Sequence, residues 1–245
     1  MVRNGDLQRW LAGRIGYGSL RADWWFLGME EACEDSDAEI SARLSGELLE
    51  DFLAGHRKLF PRCRNLFEAP VKAQPTLRPL IKTLLAAAGR SCDLSQIKDY
   101  QAKSWARTGG ETLQTELMPL PAPSAAAWPN YYAASGLPEL ATRAMYEAHW
   151  RPRRLELLRR LVSEHQPKVL VCYGKHHWPT YMALVNPEVT WEDVPPPVRF
   201  HAVYALFPGP LKRIAVLTPH TTVRGARNDD WIALGRFIGA SAPFR

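Results

Sequence analysis

The sequence predicts an α/β fold: a three-layer α/β/α sandwich built on a central, mainly parallel four-stranded sheet. Short runs such as Trp24-Trp25-Phe26-Leu27, Val169-Leu170-Val171-Cys172 and Ile214-Ala215-Val216-Leu217 are apolar on both faces, which suits strands covered from two sides. Segments with helical spacing separate these runs, and that alternation generates a parallel sheet. The 245 residues suffice for one domain (1–245), with an N-terminal helix within 1–21 and an α/β/α core over 22–240.

In chain order, residues 5–21 read as a helix around Leu7, Trp10, Leu11 and Ile15 that ends in Gly16-Tyr17-Gly18. A strand at 23–29 follows. The acidic loop Glu34-Asp35-Ser36-Asp37 then offers N-caps for a single helix carrying Ile40, Leu44, Leu48, Leu49, Phe52 and Leu53. Arg57, Lys58, Arg62 and Arg64 form a basic segment, either a solvated face or a phosphate contact. Pro75 opens a helix that Gly89 stops, and a further helix over 94–105 lies against it.

Thr108-Gly109-Gly110 breaks the chain before a second strand at 111–118, which runs into the proline-rich segment 119–124. Residues 138–165 form a long helix carrying Arg143, Arg151, Arg153, Arg154, Arg159 and Arg160. The strand at 169–173 closes at Gly174, and a helix starts near Lys175. After Pro195-Pro196-Pro197 comes an edge strand at 199–206, then the last core strand at 214–217 and a closing helix at 231–239.

Composition narrows the class. Hydrophobic residues make up 46% and charged residues 23% of the chain, ordinary values for a globular protein. No apolar run approaches the length of about 18 residues that a membrane helix requires. The start, Met-Val-Arg-Asn-Gly-Asp, does not lead into a secretory signal, so a cytoplasmic protein without a membrane partner is expected. The net charge of +6 permits a polyanionic partner. The four cysteines contain no C-x-x-C pair, so free thiols are expected and neither a metal nor another cofactor.

The chemistry-bearing residues fall at the strand ends: Gly28-Met29-Glu30-Glu31, then Glu116 to Pro121, then Gly174-Lys175-His176-His177, then Thr218-Pro219-His220. In a parallel sheet these clusters share the carboxyl edge, where ligands of open α/β sheets bind. The set resembles the motifs of the uracil-DNA glycosylase superfamily, over roughly residues 23–240. Gly28-Met29-Glu30-Glu31-Ala32 is similar to that family's first motif (G-Q-D-P-Y, G-M-N-P-G), with Glu30 on the position that handles the attacking water. Glu116-Leu117-Met118-Pro119-Leu120 resembles N-H-C-P-L, Val169 to Gly174 the third element, and Thr218-Pro219-His220-Thr221 the last motif, H-P-S-P. Glu31 stands where proline is usual, and His220 follows Pro219 where the family's histidine precedes its proline. A closer resemblance, on Trp25 to Glu31 and Leu120 to Ser124, is to bacterial glycosylase-like proteins.

The resemblance implies a monofunctional DNA glycosylase acting on an extruded base of single- or double-stranded DNA, working as a monomer. Glu30 would be the carboxylate beneath the sugar, with Glu31 in reserve, and His220 the donor to the departing base. Gly28, Met29, Ala32, Glu116 and Met118 would contact the base. Pro119, Pro121, Ser124, Gly174, Lys175, Thr221, Arg224 and Arg227 would contact DNA. Ala32 stands where thymine-rejecting branches carry tyrosine, leaving room at the C5 edge of the base. Glu116, read as an ionised acceptor, suits the amino group of cytosine. A C5-modified cytosine is therefore the expected substrate, with glucosylated hydroxymethylcytosine of phage DNA, and thus antiviral defence, as the pointed case. Excision of uracil or deaminated bases is one alternative. A nucleic-acid-binding module that has lost the chemistry, and a small-molecule nucleotide hydrolase, are others.

Overall fold

The computed structural model describes residues 4–124, 126–185 and 189–242. The single-domain expectation over 1–245 therefore includes residues 1–3, 125, 186–188 and 243–245, which lie outside the described residues.

The chain is α/β. Helix α1 (Asn4–Gly13) leads to the short strand β1 (Gly16–Gly18) and then β2 (Trp24–Gly28). Next come α2 (Asp37–Leu44), β3 (Leu49–Glu50), α3 (Phe52–Arg57), α4 (Leu77–Ala87), α5 (Leu94–Lys103) and β4 (Thr112–Glu116). The second half holds α6 (Asn130–Ala133), α7 (Arg143–His165), β5 (Val169–Tyr173), α8 (Trp178–Val185), β6 (Glu192–Asp193), β7 (Val203–Leu206), β8 (Ile214–Thr218) and α9 (Asn228–Ser241).

Among the described residues the sheet is mixed and has eight strands, in the order β3-β1-β4-β2-β5-β8-β7-β6, wider than the expected four. Within it β4 pairs parallel with β2, β2 with β5, and β5 with β8. Antiparallel pairing of β1 with β4 and of β7 with β8 extends it at both sides. Strand β7 is thus not an edge, because β6 pairs outside it.

Side-chain alternation explains why the inner strands carry no polar face. Trp25, Leu27, Leu170, Cys172, Ala215 and Leu217 enter one core, shared with α1, α2, α7 and α8. Trp24, Phe26, Val169, Val171, Ile214 and Val216 enter the other, shared with α4, α5 and α9. Each large apolar side chain so buried contributes roughly 1.5–3 kcal/mol relative to exposure.

Two expected helices end differently. The N-terminal helix stops at Gly13, and Gly16-Tyr17-Gly18 becomes a strand. At φ +146° and +109°, Gly16 and Gly18 bring the chain so near β4 that a Cβ would meet the carbonyls of Gln114 and Thr112 at 2.1 and 2.2 Å. The expected single helix over 37–53 divides into α2, β3 and α3. Ser36 caps α2 as expected, and Asp51 caps α3 by accepting from the amides of Leu53 and Ala54. Among the described residues no helix is long and apolar enough to cross a membrane.

Candidate active site

Where β2, β4, β5 and β8 end, a crevice of about 280 Å³ opens. Met29, Glu30, Glu31 and Ala32 line it from beyond β2, Gln114 and Glu116 from β4, Tyr173 from β5 and His220 from beyond β8. The segment between β2 and α4, with the first residue of α4, supplies a second wall of Arg43, Phe52, His56 and Leu77. A larger hollow of about 340 Å³, beside Arg159, Phe207 and Arg213, is lined by no carboxylate or histidine. The crevice, by contrast, is lined by Glu30, Glu31, Glu116, His56 and His220.

The two adjacent glutamates are in opposite electrostatic states. Glu30 has a side-chain exposure of 9%, and its Oε2 accepts from Arg143 Nη2 at 2.6 Å. Burial raises its carboxyl above the usual range against the pull of Arg143. Arg143 divides itself, since its Nε donates to Glu147 at 2.9 Å. Burial also opposes ionisation of Glu31, but there the charges of Arg43 and Arg14 and the hydrogen bond from Tyr17 prevail and lower its pKa. The Tyr17 hydroxyl lies 2.9 and 3.0 Å from the two Glu31 oxygens, and Arg43 Nη1 donates to Oε1. Both oxygens of Glu31 are thus engaged, whereas Arg143 takes one oxygen of Glu30.

Glu116 forms the floor. Burial first, then the charges of Glu31 and Glu30, push its carboxyl up to about 8, so it is protonated at neutral pH. Its Oε2 is buried without a hydrogen bond of ordinary geometry. The other oxygen meets the Gln114 amide at 3.4 Å, and Trp105 Nε1 fixes that amide by donating to its oxygen at 2.8 Å. Arg154, buried on α7, donates to the Glu116 backbone carbonyl and not to its carboxylate. Gly28 sits directly beneath: a Cβ there would meet Glu116 Oε2 at 2.1 Å and the Tyr173 hydroxyl at 2.5 Å.

His220 closes the mouth. Its Nδ1 lies 2.8 Å from Thr222 Oγ1 and 3.3 Å from the Thr222 amide nitrogen. An amide N–H can only donate, so Nδ1 is the acceptor and the ring proton sits on Nε2. Burial lowers the pKa of this imidazole, leaving a neutral N–H donor at pH 7.

The structure thus brings Glu30, Glu31, Met29, Ala32, Glu116 and His220 together, with Gly28 below. It places other expected site residues elsewhere. Met118 is buried in the α1–α7 core, because its amide bonds to the Met29 carbonyl and turns the side chain beneath the sheet. Pro119 and Pro121 are also buried, their carbonyls accepting from Trp10 and from Tyr132, so neither is at the surface. The Gly174 amide is spent on the Thr218 carbonyl at 3.0 Å and is not free for a phosphate. Thr221 is buried, with its hydroxyl unpaired. Ser124, Lys175, Arg224 and Arg227 are exposed but do not line the crevice.

Arg43, His56, Tyr17 and Arg143 were not singled out by sequence reasoning. Arg143 stood among the arginines of the long helix. For Arg43 and His56, Gly46 and the capping Asp51 were the available signals that the apparent helix is broken and can fold back over the site. Of the basic residues at 57–64, Lys58, Arg62 and Arg64 are ion-paired with neighbouring glutamates. Among the described residues, no cluster of three or more His, Cys, Asp or Glu side chains is arranged to hold a metal ion. No protein-family model matches this chain, and no curated protein matches it either.

Proposed function

We propose that this chain is a monofunctional DNA glycosylase that takes an extruded base into the crevice, hydrolyses its N-glycosidic bond and leaves an abasic site. On this reading the fold is a three-layer, uracil-DNA-glycosylase-like variant acting as a cytoplasmic monomer. One observation carries the reading: a single crevice of about 280 Å³ is lined by a half-engaged carboxylate, Glu30, a neutral imidazole donor, His220, and a floor acid, Glu116. That size is near the lower end of small-ligand pockets, roughly 300–1,000 Å³, and suits a base ring better than a whole nucleotide.

Departure of a base leaves positive charge on the sugar and negative charge on the ring. Glu30, once ionised, stabilises the first and orients water through the oxygen that Arg143 does not hold. The Nε2–H of His220 stabilises the second. Glu31, with both oxygens engaged, holds the wall in place. No lysine lines the crevice, which supports hydrolysis without a Schiff base.

Glu116 alters the expected base preference. As a neutral acid it both donates and accepts, so it can pair with a cytosine-type or a uracil-type edge. Ala32, exposed at the rim, supports a base substituted at C5. A C5-modified cytosine stays the leading substrate, with the glucosylated phage form as its antiviral case, and uracil or a deaminated base the alternative. The Arg143–Glu30 ion pair favours a second reading, a binding module whose carboxylate is permanently neutralised.

Oligonucleotides bearing uracil, hypoxanthine or C5-modified cytosines, single- and double-stranded, followed by alkaline cleavage of abasic sites, test these readings. Base release is expected from at least one, falling about 100-fold or more in Glu30→Gln. Equal activity in Glu30→Gln would remove the mechanism, and tight binding without release would establish the module.

A further inference from the structure

We infer that His56 and Glu31 form a receptor for an exocyclic amino group of the bound ligand, held between two hydrogen-bond acceptors. This rests on the reading of the crevice as a base-binding site and names the class of base it selects.

The argument starts from the imidazole. His56 Nδ1 lies 2.8 Å from the Phe52 carbonyl, which can only accept, so Nδ1 carries the proton. Burial lowers the pKa of this ring to about 4, so it is neutral at pH 7 and Nε2 presents a lone pair. The ring is fixed in that orientation by Phe52, at a centroid distance of 4.1 Å, and by Tyr17, at 5.3 Å.

Nε2 lies 3.8 Å from Glu31 Oε1, beyond hydrogen-bond range, and both residues line the crevice. Glu31 is ionised. Nε2, which makes no hydrogen bond to Glu31, and Oε1, which already accepts from Tyr17 and Arg43, therefore face the ligand space side by side. Tyr17 donates to Glu31, and Arg43 donates to Glu31 and Glu39. A carbonyl oxygen placed against both would meet the lone pair of Nε2 and the charge of Glu31. A group with two hydrogens satisfies both acceptors at once. The exocyclic amine of an aminopyrimidine or aminopurine is such a group, and the keto oxygen of uracil or hypoxanthine is not. Glu116, on the floor, is left to read another edge of the same ring.

The test uses binding, not base release. Full-length protein is titrated with oligonucleotides carrying one 5-hydroxymethylcytosine or one 5-hydroxymethyluracil at the same position, a pair differing in the amino group. The amino form is expected to bind about tenfold or more tightly, the value of one well-made hydrogen bond. His56→Phe keeps the ring contacts and should reduce that ratio to about one without weakening the hydroxymethyluracil complex. In ¹⁵N spectra, the unprotonated His56 Nε2 resonance should move with the amino ligand alone. Equal affinities in the wild-type protein, no binding of either strand, or discrimination that survives His56→Phe would overturn the proposal. Discrimination without base release would sink the glycosylase and spare the receptor. Release without discrimination would do the reverse.

Discussion

Adjacent carboxylates, Glu30 and Glu31, differ in protonation because each faces a different arginine and a different degree of confinement. Arg43 and Tyr17 lower the pKa of Glu31, while burial raises that of Glu30. If the proposed base hydrolysis is the reaction, a pH profile of kcat/KM follows. Glu30 must be ionised to act, and its pKa is raised, so activity climbs with pH along a limb displaced above an ordinary glutamate. Glu116 must be protonated to donate, so activity falls as pH passes about 8. Glu31→Gln removes a charge that raises the Glu116 pKa, so its alkaline limb should move to lower pH. An alkaline limb unmoved in that variant would refute Glu116 as its origin. The positions of Glu30, Glu116 and His220 were legible in the sequence, because strand ends and a parallel sheet place them together. Their protonation states were not, since burial belongs to the tertiary structure.

Elements differ in how far local pattern determines them. The runs at 24–27, 169–172 and 214–217 were legible because neighbours on both faces demand apolar residues at every position. The segment 37–57 was not, since Leu44, Leu48, Leu49, Phe52 and Leu53 keep helical spacing across a real break. Pairing of β3 with β1 overrides that periodicity and brings Arg43 and His56 over the crevice. Arg154 shows a similar tertiary decision: from α7 it donates to the carbonyls of Glu116, Arg14 and Ile15, tying three elements at the floor. Close approach of α9 to α4 depends on glycine. A Cβ at Gly235 would meet the Thr83 carbonyl at 2.2 Å and the Ala86 Cβ at 2.7 Å. Gly235→Ala should therefore destabilise the protein by about 1–3 kcal/mol, seen as a lower urea midpoint with an unchanged m-value. An unaltered midpoint would mean that these helices part without cost.

Across the whole molecule the two cores enclose a sheet whose one polar end holds three glutamates, and that concentration links folding to pH. The sheet's breadth escaped sequence reading because β1, β3 and β6 have two or three residues each, too few for periodicity. Without β1 there is no Tyr17 to hold Glu31, so the electrostatics of the crevice was hidden with it. The thermodynamic consequence runs through Glu116. Unfolded, its carboxyl has the ordinary value of 4.5, and folded it titrates near 8. Between these values the native state binds a proton that the unfolded state has lost, so stability declines as pH rises across that window and levels off above it. Glu31, whose pKa is lowered, acts oppositely: its contribution is present above the ordinary carboxylate pKa and is lost on acidification. Glu116→Gln keeps a donor and an acceptor but cannot ionise. In urea denaturation at pH 5 through 9, the wild-type protein should lose stability relative to this variant as pH increases. One pKa unit corresponds to about 1.4 kcal/mol, so a gap on the order of 2–4 kcal/mol should open by pH 9 after allowance for solvent screening. Curves that stay parallel across the range would show that Glu116 ionises as readily in the folded protein as in water, and the neutral floor acid would have to be abandoned.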